Sequence, residues 1–130
     1  MSFDPRTIST PVYEALNELK SQHSNNNDKL REQKGQAVEI YTYLSTWGMM
    51  RLKAEEQVVK EGKRDVIARY FACLEELSGI KNLSGSNGLS TIKNLDSDRY
   101  LGLTGLGLEV AQEFSFWANA IYHDVKAEAN

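Results

Sequence analysis

The chain has 130 residues, 41% of them hydrophobic and 25% charged, and a formal net charge of −3. That length fits one domain with its own core, and no apolar run approaches the roughly 18 residues that a membrane-spanning helix needs. The acidic balance excludes a free-standing nucleic-acid binder of the usual basic kind, because neutralising phosphates supplies most of such a protein's affinity; any RNA contact needs a local patch or a place in a larger assembly.

Residues 1–10 are polar, contain Pro5 and read as a loose arm. Thr10 before Pro11 reads as an N-cap with proline at the first helical position. Val12, Leu16 and Leu19 then recur at helical spacing and predict a first helix to about Gln22. The run from Ser24 to Asp28 ends it, since asparagine and aspartate favour turns. A second helical region runs from near Lys29 toward Val59, with Leu30, Ala37, Tyr41 and Leu44 on one face and Val38 and Ile40 on its flanks. Trp47-Gly48 predicts a kink or break in it, because glycine costs a helix interior about 1 kcal/mol relative to alanine. The helix resumes at Met49, and Gly62 is expected to close it. A third helix carries Val66, Ile67, Tyr70, Phe71, Leu74 and Leu77 on one stripe, with Gly79 at its C-terminal cap. Residues 79–96 read as a long loop, functional or mobile by its length, tacked to the core through Ile80, Leu83, Leu89, Ile92 and Leu95.

Ser97 reads as the cap of a final helix reaching about Ala127. Its stripe is Tyr100, Thr104, Leu108, Ala111, Phe114, Ala118, Ile121 and Val125, widened by Leu103, Val110 and Trp117. At 1.5 Å per residue it would be about 45 Å long, against a domain radius of gyration near 14 Å, so it spans the body or projects past it. The fold expectation is all-α: one domain over residues 1–130, a bundle of about four to five helices with a long C-terminal one. Gly102, Gly105 and Gly107 lie in the first turns of that helix and together cost about 3 kcal/mol in propensity. A helical wheel places Gly107 in the apolar stripe, where another helix can approach closely. Gly102 and Gly105 fall on the outer face, together with Gln112, Phe116, Asn119 and His123. Phe116 is out of phase with the core, so it is either a partly covered surface residue or part of a protein interface.

Candidates for chemistry are few. Gly102 to Gly107 has the spacing GxxGxG without a preceding strand, which is not a dinucleotide or phosphate loop. His23 and His123 have no partners at metal-ligand spacing, and Cys73, the single cysteine, reads as a buried structural residue. One cysteine cannot form an intramolecular disulfide, and the N-terminus has no charged-then-apolar signal pattern. A cytoplasmic location, no cofactor, no metal and no catalytic site are therefore expected. Glu55-Glu56 and Glu75-Glu76 read as solvated helix faces. The basic residues cluster in two groups, Arg51 with Lys53 and Lys60 with Lys63 and Arg64. They form either a salt-bridged surface or an edge that tracks an RNA backbone.

Two segments resemble a known family. Asp96-Ser97-Asp98-Arg99-Tyr100-Leu101-Gly102-Leu103-Thr104, leading into Phe114-Ser115-Phe116-Trp117-Ala118-Asn119-Ala120, is similar to the last helix of the small α-helical subunits of type III CRISPR effector complexes. Tyr43-Leu44-Ser45-Thr46-Trp47-Gly48-Met49-Met50 resembles that family's mid-chain region, with Trp47 where the family often has asparagine and Met49 where it has leucine. The resemblance covers about residues 36–125. It implies a non-catalytic subunit of an antiviral ribonucleoprotein that stacks with other effector subunits, or with copies of itself, along the guide RNA and target RNA. It transfers no residue set, so Arg51, Lys53, Lys60, Lys63 and Arg64 are proposed RNA contacts on local charge alone. A helical adaptor that binds only protein through the Phe116 face is the alternative.

Overall fold

The computed structural model describes residues 4–126, and among them the chain forms six helices and no strand. They are α1 (Arg6–Gln22), α2 (Asn27–Trp47), α3 (Met49–Glu55), α4 (Glu61–Ser78), α5 (Gly88–Lys93) and α6 (Ser97–Ile121). The four long helices enclose the core: α6 and α4 are each flanked by α1 and α2, and they also meet each other. The short α3 and α5 pack together and join the bundle through α2 and α4.

The core follows from apolar stripes at steps of three and four. In α6 the buried line is Leu103, Gly107, Val110, Ala111, Phe114, Ala118 and Ile121. In α4 it is Val66, Ile67, Tyr70, Phe71 and Leu74. Tyr70 is the hinge between the two. Its ring meets Phe71 and Phe114 edge-on at 5.1 and 5.7 Å, and its hydroxyl donates to the Gly107 carbonyl at 2.8 Å. A Cβ on Gly107 would lie 2.7 Å from Met49 Cε and 2.8 Å from Tyr70 Oη, so this glycine is the close approach expected of it.

Several boundaries differ from the sequence expectation. Residues 6–10 are the first turns of α1, not part of a loose arm; Pro11 lies inside the helix rather than at its start. Ile8 extends the buried stripe one turn upstream, and the Asp4 carboxylate accepts from the Arg6 N–H at 3.0 Å, so Asp4-Pro5 performs the capping assigned to Thr10-Pro11. Gly62 does not close α3; it lies in the first turn of α4, where its N–H donates to Glu32 Oε1 at 3.0 Å. A Cβ there would be 2.7 Å from Glu32 Cβ, so Gly62 lets α4 start hard against α2. The stretch 79–96 is not a continuous loop. Leu83 and Ile92 are buried, and α5 forms around Ile92. Glu75, expected on a solvated face, receives the N–H groups of Leu83 and Ser84 at 2.7 and 3.1 Å and ties this stretch to α4.

The last helix is capped by Asp96, whose carboxylate accepts from the Arg99 N–H at 2.8 Å. It ends at Ile121, about six residues before the expected end, which itself lies outside the described residues. The reason is Tyr122, which turns inward and is fully buried. Its hydroxyl donates to Gln33 Oε1 at 2.7 Å and lies 3.4 Å from the Leu16 carbonyl. The freed carbonyls of Ile121 and Val125 take lysine donors, Lys20 at 2.9 Å and Lys34 at 2.6 Å. A 25-residue helix is about 37 Å long, enough to span the bundle.

Candidate nucleic-acid interface

The break at Gly48 organises the surface where the basic groups lie. Gly48 has φ +87°, a left-handed value that glycine adopts without strain. Its N–H still closes α2 on the Leu44 carbonyl at 2.9 Å, while its own carbonyl accepts from Leu52 to open α3. The redirected chain buries Met49 and Leu52 and leaves Met50 and Arg51 outside. Trp47, the last residue of α2, is 52% exposed. The Arg51 guanidinium lies against its ring, 4.2 Å from the centroid, a contact worth about 0.5–1 kcal/mol at an exposed site.

Between α2 and the α3–α4 corner lies an open cleft of about 330 Å³. Gln36, Glu39, Thr42, Tyr43, Thr46 and Trp47 form one wall; Glu55, Val59 and Lys63 form the other. Partial burial, and then the Glu55 carboxylate, push the Tyr43 phenol above its ordinary value, while Arg51 pulls it the other way. The cleft thus combines two aromatic rings, two carboxylates and one ammonium, with a guanidinium beside it.

The five proposed RNA contacts are divided by the structure. Arg51 and Lys63 lie at the cleft. Lys60 is exposed near Asp28, Arg31 and Glu32. Arg64 is exposed but donates to the carbonyls of Glu56 and Val59 at 3.0 and 3.3 Å, so it also caps the end of the α3 turn. Lys53 does not belong with the other four, because only 5% of it is exposed. Its ammonium pairs with Glu56 at 3.0 Å and lies 4.8 Å from the Phe71 ring centroid, beneath Gly88 of α5. It is an interior cation that joins α3, α4 and α5.

Gly102, Gly105, Gln112, Phe116 and Asn119 are all exposed on α6, and Phe116 is 61% exposed. Among the described residues, apart from the helix's own adjacent turns, nothing comes within 4 Å of a Cβ placed on Gly102 or Gly105. His123 is exposed too, but in the turn after the helix. Phe116 stands edge-on to Trp117 at 5.1 Å, and Trp117 edge-on to Tyr13 of α1 at 5.4 Å. This makes an aromatic ladder at the surface.

The chain matches no known family model, no curated protein and no solved structure. Its residues therefore carry the functional argument.

What sequence reading missed is the α2 wall of the cleft. Gln36, Glu39, Tyr43 and Trp47 recur at steps of three and four, one residue behind the buried Ala37, Ile40 and Leu44. The signal was present as a second stripe about 100° from the first. The buried polar pair Gln33 and Tyr122 was also missed. Gln33 Nε2 lies 2.9 Å from His23 Nδ1, so His23 belongs to a structural network and packs toward Asp65, 4.0 Å away. Burial pushes the Asp65 carboxyl above its ordinary value, with His23 acting in the opposite direction. Cys73 is buried as expected, and burial pushes its thiol up to about 11. Among the described residues no cluster of three or more His, Cys, Asp and Glu could hold a metal ion, and no helix is long and apolar enough to cross a membrane.

Proposed function

We propose that this chain is a non-catalytic small subunit of a type III CRISPR RNA-guided effector complex, working in the cytoplasm and contacting the RNA backbone while its helix faces meet neighbouring subunits. One observation carries the reading: the two segments that resemble the family are neighbours in space. Tyr100 Oη lies 4.0 Å from the Cβ position of Gly48, while Leu44 Cδ2 and Met49 Cε lie 3.8 and 2.7 Å from that of Gly107. Residues 43–50 and the start of α6 therefore form one packed unit. The mechanism is electrostatic and steric. Arg51, Lys60, Lys63 and Arg64 supply positive charge along the α3–α4 corner, which a backbone contact needs more than base-reading geometry. Cleavage belongs to other subunits.

The test is purification of the chain with its natural partners. A defined short RNA within a multi-subunit particle is the expected outcome; a chain that purifies with neither RNA nor particle removes the proposal. Charge reversal of Arg51, Lys60 and Lys63 together is expected to reduce RNA retention and its salt dependence. Unchanged retention removes this corner from the interface.

The Tyr13–Trp117–Phe116 ladder favours a second reading, a helical adaptor that binds only protein. Phe116→Ala releasing a protein partner from a preparation free of RNA would support it.

A further inference from the structure

The cleft holds a combination that backbone tracking does not require. Its volume, about 330 Å³, is at the lower end of the roughly 300–1,000 Å³ of small-molecule pockets. Trp47 and Tyr43, four residues apart on α2, give it flat apolar surface, and Arg51 against the indole holds that ring in place. A phosphate is disfavoured inside, because two carboxylates, Glu39 and Glu55, line it against the single ammonium of Lys63 at its wall. Carboxylates do suit a base edge that donates hydrogen bonds, as when Glu or Asp accepts from the cytosine amino group.

We propose that this cleft takes an amino-bearing nucleobase of single-stranded RNA, stacked on Trp47 and donating to Glu39 or Glu55, with its phosphates outside toward Arg51 and Lys63. The inference rests on the RNA-contacting reading above and adds a ligand to it. Adenine, cytosine and guanine each offer an exocyclic amino donor. Uracil offers one imino donor flanked by two carbonyl oxygens, which would face the carboxylates unfavourably. Thr42 and Thr46 add hydroxyls on the same wall, able to donate or accept. The subunit would thus hold one splayed-out base as well as steady the strand, with a preference set by its carboxylates.

The indole N–H resonance of Trp47, followed by NMR in the unaltered chain, tests this during titration with oligoadenylate, oligocytidylate, oligouridylate and AMP. The chain has two tryptophans, so Trp47→Ala assigns the signal. Oligoadenylate and oligocytidylate are expected to shift it, with oligouridylate about tenfold weaker and AMP weaker than either oligomer. Trp47→Ala is expected to weaken oligoadenylate binding roughly tenfold, the usual scale of one lost stacking contact. Glu39→Ala is expected to narrow the preference over oligouridylate. Equal response to oligouridylate overturns the carboxylate argument, and AMP binding as tightly as the oligomer overturns the strand as ligand. Should oligomers bind in a manner lost on charge reversal of Arg51 and Lys63 while Trp47 never responds, the cleft is overturned and the RNA reading stands. No binding by any oligomer overturns the cleft as a base site, whereas the RNA reading falls only if the particle co-purifies no RNA.

Discussion

Three glycines within six residues of α6 have opposite packing environments. Gly105 has open space at its Cβ position, so Gly105→Ala is expected to stabilise the fold by about 0.5–1 kcal/mol through helix propensity. Gly107→Ala gains the same propensity but forces Met49 and the Tyr70 hydroxyl aside, and overpacking of that kind costs about 1–3 kcal/mol. Denaturant titration should therefore give shifts of opposite sign; two stabilised variants would show that the α4–α6 contact is looser than described. At Tyr122 the argument is about a polar atom. Tyr122→Phe leaves the wholly buried Gln33 without its hydroxyl donor, a loss of about 1–3 kcal/mol for an unsatisfied buried group. An unchanged midpoint would mean that Gln33 finds another partner. Neither residue announces itself in sequence, because a glutamine on a helix and a tyrosine near its end are ordinary surface residues until the chain brings them together.

At the scale of elements, the short helices are held by buried charge and by capping. Lys53→Glu would place a second carboxylate beside Glu56 inside the α3–α5 junction. Breaking a buried pair costs about 3–5 kcal/mol, so this variant should lose stability, measurable by thermal melting. Any loss of RNA retention on this change would then follow from unfolding. The 79–84 turn depends on Glu75, whose carboxyl is held below its ordinary value of 4.5 by the Ser84 and Leu83 N–H groups. A depressed folded pKa means that the contribution is present above pH 4.5 and fades as pH falls through the lower folded value. Glu75→Gln should therefore melt below the parent chain at pH 7, with the gap closing as pH falls below 4.5. A gap independent of pH would show that the amide serves the turn as well as the carboxylate. Residues 79–96 read as loop because Gly, Ser and Asn are frequent in them. Leu83 and Ile92 hold it down only because α3 and α4 lie beneath.

For the whole molecule, the two surfaces of interest are built from different helices. The cleft belongs to α2 and the α3–α4 corner, the aromatic ladder to α1 and α6. A subunit that meets RNA on one side and protein on another can use both at once. Charge reversal at the corner and Phe116→Ala on the ladder are thus expected to act independently in a co-purification assay. The first should release RNA and the second a protein neighbour. Loss of both on either change would place the two surfaces in one interface.

What the amino-acid sequence determined by itself was the class of structure and its largest divisions. Stripes at steps of three and four dictated helices, Gly48 and Gly79 dictated breaks, and the out-of-phase Phe116 was legible as exposed because a single helix has one core-facing side. Local rules sufficed there, since periodicity and left-handed backbone are properties of a few consecutive residues. Tertiary structure alone decided where helices ended and which charges reached the surface. α6 stops where Tyr122 finds Gln33, α1 begins where Ile8 finds the core, and Lys53 is buried because Glu56 and Phe71 receive it. The cleft is of the same kind. Its walls are distant in sequence, and only the turn at Gly48 brings Glu55 and Lys63 opposite Tyr43 and Trp47.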